Sequence, residues 1–182
     1  MSTLTKIPLL FFLLAFISCA DNLDFNQIDD YNATPAITSS LIYFTVLPIQ
    51  FFDATGTALV FEVIDESEIR VFDNDFVRDK FVKVDFNIEI KNEFDRDFAI
   101  QIDLLNGNNT ITHRFDELEI LANNLTFTNK QTVEVSANLN IKNSTRIRVT
   151  IKIENTTTPL DKENTDKFEF KSSATIYFNT DA

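Results

Sequence analysis

Val82-Lys83-Val84-Asp85-Phe86-Asn87-Ile88-Glu89-Ile90-Lys91 alternates apolar and polar side chains without a break. A period of two places Val82, Val84, Phe86, Ile88 and Ile90 on one face of an extended strand and the charged and amide side chains on the other. Further along, Phe98, Ile100, Ile102 and Leu104 repeat the pattern, and Asn106-Gly107-Asn108-Asn109 supplies a turn before residues 111–115. Val133, Val135, Ala137, Leu139 and Ile141 form another alternating set. So do Ile147, Val149, Ile151 and Ile153, with Lys142-Asn143-Ser144-Thr145 read as the hairpin loop between the two. Phe168, Phe170, Ser172, Ala174, Ile176 and Phe178 form the last. Toward the start, residues 41–47 are apolar on both faces apart from Thr45, which predicts a strand covered on both sides and paired with residues 58–64.

No segment has convincing helical amphipathicity; the best, residues 115–123, is short enough for a loop or a single turn. Seven to nine antiparallel strands at this spacing predict an all-β, two-layer antiparallel sandwich of immunoglobulin-like type, lacking the cysteine and tryptophan pins of antibody domains. Lys83, Lys91, Lys152 and Lys171 fall on outward faces, where they would discourage edge-to-edge pairing. Sixteen of the 19 phenylalanines lie beyond residue 18, and at alternate positions they read as core.

Residues 7–17 are almost wholly hydrophobic, follow Lys6, and lead into Ile17-Ser18-Cys19-Ala20. The run is roughly half of the ~20 residues a membrane-crossing helix needs, which suits a secretory leader. Cys19 is the only cysteine, so disulfides within the chain are excluded. The aliphatic and small residues running into Cys19 resemble the lipobox of bacterial lipoprotein signal peptides. That resemblance implies cleavage before Cys19, its acylation (palmitate or a similar fatty acid), and anchoring of residues 19–182 to a membrane through an N-terminal lipid; ordinary cleavage after Ala20 is the alternative. Asp21, Asp24, Asp29 and Asp30 follow at once, similar to export signals of surface lipoproteins in Bacteroidetes and equally readable as a solvated tether. The chain as a whole resembles uncharacterised lipoproteins of flavobacterial type. The expected organisation is a signal peptide at 1–18, an acidic tether at 19–35 and one β-sandwich domain at 36–182, placed at the cell envelope or outer membrane, periplasmic or surface-exposed.

The formal net charge is −12. Nucleic acid is therefore not an expected partner, because phosphates repel such a surface. With Gly56 and Gly107 the only glycines, no phosphate-cradling loop can be built, and no cofactor is expected. His113 is the only histidine. It lies in the alternating run 111–115 and reads as a packed strand residue, not a catalytic base. The carboxylate pairs Asp65-Glu66, Asp73 with Asp75, and Asp116-Glu117 are the residue types a glycosidase needs. Asp73, Asp75 and Asp79 offer oxygen ligands that could hold calcium, without the glycine and terminal glutamate of an EF-hand loop; the plainer reading is an Asx-rich turn. Phe51 and Phe52 follow Pro48 in a loop-like stretch and are read as a plug for one end of the sandwich or as a patch for a partner. The three tyrosines, Tyr31, Tyr43 and Tyr177, and the absence of tryptophan leave little aromatic material for a sugar platform. The sequons at Asn108, Asn124, Asn143 and Asn155 follow from an Asn- and Thr-rich composition.

The expected function is thus a non-enzymatic, lipid-anchored binding or structural module of the envelope, with a protein or glycan partner. A hydrolase using an Asp/Glu pair and a calcium-stabilised adhesion module are the alternatives.

Overall fold

Among the described residues, nine strands pair in a nested order that local alternation could not have specified. The computed structural model describes residues 35–154 and 159–179, which belong to one compact unit. The strands are β1 (Ala36–Val46), β2 (Glu62–Glu68), β3 (Phe81–Asn92), β4 (Phe98–Leu105), β5 (Ile111–Arg114), β6 (Leu118–Ile120), β7 (Phe127–Glu134), β8 (Arg146–Ile153) and β9 (Phe168–Phe178). β1 pairs with β9, β2 with β8, and β3 with β7; β4 pairs with β5 and β6, which occupy successive halves of one lane. Two further ladders, β3 with β9 and β4 with β8, complete an antiparallel sheet β1-β9-β3-β7 and a second sheet β2-β8-β4-β5 in which β6 also lies on β4.

Pairing first with last, second with penultimate and so inward is a long hairpin wrapped into two layers. That is the jelly-roll arrangement. The two-layer all-β sandwich stands, whereas the immunoglobulin-like order does not: there the sheets run ABED and CFG, with the first two strands adjacent.

Between the sheets lie Val84, Phe86, Ile88 and Ile90 of β3, Phe168, Phe170, Ala174, Ile176 and Phe178 of β9, and the alternating apolar sets of β4 and β8, all buried. At one end Phe98 stacks on Phe51 at 5.6 Å and meets Phe94 and Phe168 edge-on at 5.3 Å and 5.1 Å.

Four local expectations are corrected. Residues 41–47 do not form a strand covered on both sides. Residues 41–46 belong to edge strand β1, whose partner is β9, not residues 58–64, and Leu47 caps the 3-10 turn that follows. A bulge between Ser40 and Ile42 reverses the side-chain parity, so a run that reads as apolar on both faces turns Ile42 and Val46 inward and leaves Tyr43 exposed. The set 133–141 does not continue as a strand: β7 ends at Glu134, and Leu139–Asn143 is a 3-10 turn that buries Ile141. Residues 142–145 accordingly do not close a hairpin but carry the chain from one sheet to the other. Residues 115–123 hold the short strand β6, and a six-residue helix α1 (Asp75–Lys80), N-capped by Asn74, precedes β3.

The lysines are also misplaced as edge guards, since Lys83 and Lys91 lie on β3, Lys171 on β9 and Lys152 on β8, all interior strands. Edge strand β1 carries no charge at all, and its bulge is the device that interrupts its outer row of hydrogen-bonding groups.

Candidate functional site

The outward lanes of β3 and β9 lie side by side at the centre of the four-stranded sheet. Lys83 pairs in register with Tyr177, Asp85 with Thr175, Asn87 with Ser173, Glu89 with Lys171, and Lys91 with Glu169. β1 extends these rungs with Ser40 beside Ser173, Tyr43 beside Lys171 and Thr45 beside Glu169, while β7 adds Thr132, Lys130 and Thr128 on the other side. The result is a platform of hydroxyls, amides, ammonium groups and carboxylates with a tyrosine toward each end. Both tyrosines carry an ammonium group over the ring, Lys83 at 4.0 Å from the Tyr177 centroid and Lys171 at 5.7 Å from that of Tyr43.

Asp85 is the fixed point of the platform. It sits on the solvent-side lane yet is only 3% exposed, because its neighbours close over it. Thr132 Oγ1 donates to Oδ1 at 2.8 Å, Tyr177 Oη donates to Oδ2 at 2.9 Å, and Lys130 Nζ lies 2.7 Å from Oδ2. Burial by itself pushes the carboxyl up. Together the donors Lys130, Thr132 and Tyr177 and the charge of Lys130 outweigh burial and hold Asp85 below the usual carboxylate range. Its presence raises both the Lys130 ammonium and the Tyr177 phenol, chiefly through those hydrogen bonds.

A folded-state pKa below the unfolded value means that the folded protein binds this proton less tightly. The stabilisation is complete above about pH 4 and is lost as pH falls through the folded-state pKa. The melting temperature of the wild type should therefore exceed that of Asp85→Asn near neutrality by a margin that shrinks below about pH 4. A margin unchanged on acidification would remove Asp85 as an ionised anchor.

Beside this anchor the platform is hollowed. A cavity of about 230 Å³ is lined by Glu89, Lys91, Glu169 and Lys171 with Leu125 and Phe127 as its apolar wall. A second of about 180 Å³ is lined by Ser40, Asn87, Glu89, Lys171 and Ser173. Glu89 and Lys171 belong to both, so the two make one trough running along β3 and β9. Tyr43, 62% exposed, stands next to Lys171 in the β1–β9 ladder. At the far end Lys91 Nζ bonds Glu93, whose other oxygen accepts from the Lys167 backbone N–H at 3.0 Å; the Lys91 bond, then the backbone bond, hold the Glu93 carboxyl low.

The residues singled out from the sequence are scattered by comparison. Cys19, the acidic tether and Tyr31 lie outside the described residues. Phe51 ends a 3-10 turn and is fully buried against Phe94 and Phe98 at one end of the sandwich; Phe52 is half-buried and bridges to Leu59. Asp73 ends a 3-10 turn and Asp75 begins α1, where it pairs with Arg78. Among the described residues no group of three or more histidine, cysteine or acidic side chains is arranged to hold a metal ion, Asp73, Asp75 and Asp79 included.

His113 packs edge-on against Phe115 at 4.6 Å. Its Nδ1 faces Asn138 Nδ2 at 3.1 Å, and since Asn138 Oδ1 already accepts from the Asn140 N–H, the amide must donate and the imidazole is the neutral Nε2–H tautomer. Burial pushes its pKa down, against the opposing charges of Asp116 and Asp103. Elsewhere, four carboxylates, Asp97, Glu117, Glu119 and Glu154, line a separate cavity of about 260 Å³ in which Asp97 Oδ1 is held by the Ala122 N–H at 2.7 Å.

Sequence reasoning passed over Glu89, Lys171, Ser173 and Asp85 as ordinary outward residues, and treated Tyr43 and Tyr177 as too few to matter. The alternation of Glu169, Lys171, Ser173, Thr175 and Tyr177 was a usable signal. It needed the register against β3 to become a site.

No protein-family model matches the chain, and no curated protein matches it in sequence. Among solved structures, a protein of Parabacteroides distasonis ATCC 8503 described as secreted is similar at 14% identity and a TM-score of 0.49, over 64% of this chain and 38% of that one. The infectious bursal disease virus VP2 subviral particle is similar at 9% identity and a TM-score of 0.38, over 82% and 33% of the two chains. The CBM22-1 and GH10 modules of Clostridium thermocellum endo-1,4-beta-D-xylanase 10B, complexed with xylohexaose, are similar at 12% identity and a TM-score of 0.34, over 64% and 20%. The chain thus spans between 20% and 38% of the length of these structures. Among the described residues no helix is long and apolar enough to cross a membrane.

Proposed function

We propose that this protein is a non-enzymatic glycan-binding module of the cell envelope, anchored through an acylated Cys19, that receives a sugar chain in the trough on the outer face of the β1-β9-β3-β7 sheet. The observation that carries the reading is the shared pair Glu89 and Lys171, at which two hollows adjoin, with the exposed Tyr43 beside Lys171 on the next strand. Sugar hydroxyls both donate and accept, so a surface that alternates carboxylate acceptors with ammonium donors matches them. The flat, apolar faces of sugar rings suit Tyr43 and the Leu125 and Phe127 wall. The leader ending at Cys19 supports the anchor, and the lipid binds the protein to a membrane without spanning it.

Titration of the soluble domain against a panel of polysaccharides, by affinity electrophoresis and calorimetry, tests this. Tyr43→Ala should weaken binding about tenfold, the scale of one lost aromatic contact. The melting temperature should stay unchanged, because the ring is exposed. Failure of every glycan in the panel to bind the wild type would refute the reading. In cells, labelled palmitate should be incorporated by the wild type and not by Cys19→Ala. The hydrolase alternative points to the carboxylates around Asp97 and Glu119; incubation with the bound glycan should release no new reducing ends.

A further inference from the structure

We infer that the trough selects uncharged polysaccharide and rejects chains bearing uronate or sulfate groups, an inference that rests on the glycan reading above and narrows it. The reason lies in how charge is distributed over the sheet face. Lys83, Lys91, Lys130 and Lys171 all point outward from this one sheet, a concentration of cations that would suit a polyanion if they stood alone. None does. Lys171 is in register with Glu89 and Lys91 with Glu169 across the β3–β9 ladder, Lys83 is opposite Glu134 on β7, and Lys130 is bonded to Asp85. Lys171, Lys91 and Lys83 thus each face a carboxylate directly across a ladder, where opposed Cβ atoms lie about 5 Å apart; Lys91 is also ion-paired to Glu93, and Lys130 reaches one rung along to Asp85.

The four cations and four carboxylates leave the face neutral on a chain whose formal net charge is −12. A carboxylate or sulfate entering the trough would meet Glu89 and Glu169 in the same lining as Lys91 and Lys171. It would also have to approach against the field of the whole protein. A neutral diol meets no such opposition and can bond both members of a rung at once. The trough follows the strand direction. From Asn87 through Glu89 to Lys91 two steps of i to i+2 cover ~13 Å, room for ~2–3 sugar rings lying along the strands.

Charge compensation makes two further demands on the binding. It should be nearly indifferent to salt, because little net charge is exchanged, and it should change class when the compensation is removed. Glu89→Lys leaves the exposed backbone lane intact while converting the central rung to two cations.

The test uses a neutral β-glucan, a neutral mannan, polygalacturonate and dextran sulfate as probes against the wild-type domain and Glu89→Lys, with melting temperature as the folding control. Wild type should bind at least one neutral probe with an affinity altered less than about twofold between ~20 mM and ~500 mM salt. It should retain neither polyanion. Glu89→Lys should lose neutral binding about tenfold or more and gain salt-sensitive retention of dextran sulfate. Wild-type binding to polygalacturonate or dextran sulfate that weakens steeply with salt would overturn the selectivity while leaving a glycan-binding protein. Absence of binding to all four, together with failure of the wider panel, would overturn the glycan reading itself. Neutral binding that survives in Glu89→Lys would show that the trough is not where the sugar sits.

Discussion

Phe98→Ala is expected to lower the unfolding free energy by about 3–5 kcal/mol, the cost of removing a large aromatic side chain from a close-packed interior. Phe98 is fully buried, and three rings converge on it: Phe51 from the turn after β1, Phe94 from the β3–β4 connection, and Phe168 from the start of β9. These belong to elements far apart in the chain, so the cavity left by truncation cannot be filled by a local adjustment. For a domain of this size the loss corresponds to a fall in melting temperature of roughly 10–20 °C. Since total stability is typically about 5–15 kcal/mol, a substantial part of it hangs on this ring cluster. Phe98→Leu, which keeps most of the volume, should recover much of the loss. A fall of only a degree or two for Phe98→Ala would show that this end of the sandwich does not behave as a packed core.

Asn92→Ala should be the second most damaging substitution, and through hydrogen bonding instead of volume. Asn92 is fully buried at the end of β3. Its Nδ2 donates to the carbonyls of Arg96 and Leu121, each at 2.9 Å, and its Oδ1 accepts from the Phe94 N–H at 3.0 Å. Truncation strips partners from two carbonyls and one amide in a place with little room for water. At the usual penalty for buried groups left unsatisfied, the sum is about 2–4 kcal/mol. The same residue connects the β3–β4 loop to residues 121–126, and its own N–H donates to the Asn124 carbonyl at 2.7 Å. The segment that leads to Leu125, on the wall of the trough, is thus held by the Asn92 side chain at Leu121 and by the Asn92 backbone at Asn124. Glycan affinity should fall along with stability in Asn92→Ala. Unchanged melting and unchanged affinity would together show that the loops at this end are held by something other than Asn92.

The strands β3, β4, β8 and β9 were readable because each buries one face against the opposite sheet, so the alternation of Val84, Phe86, Ile88 and Ile90 reports directly on geometry. β1 was misread because one bulged residue near Leu41 inverts the parity, and an uncharged edge strand looks like a buried one. Residues 133–141 were misread for a different reason. Val135 and Ile141 are both buried, but the chain turns at residues 135–137 instead of extending and enters a 3-10 turn capped by Asn138, and two apolar residues six positions apart fit either path.

The trough was the least legible feature. Glu89 and Lys171 are separated by most of the domain in sequence. Each looks like any solvated charge on an outward lane until the β3–β9 ladder sets them opposite one another. Asp85 was hidden in the same way, because its burial is produced by Thr132, Lys130 and Tyr177, which arrive from two other strands.

Residue order alone determined that the chain would be built of strands, which side chains most of them would turn inward, and that phosphate cradles and multi-histidine metal sites were out of reach. These follow from local stereochemistry and from counting, since a strand's period of two is written within a few consecutive residues. Only the tertiary structure decided the nested strand order, the register of β3 against β9, and hence the neutral trough. Those depend on pairings between residues tens of positions apart, and many registers would satisfy the same alternation while only one packs both inner faces together.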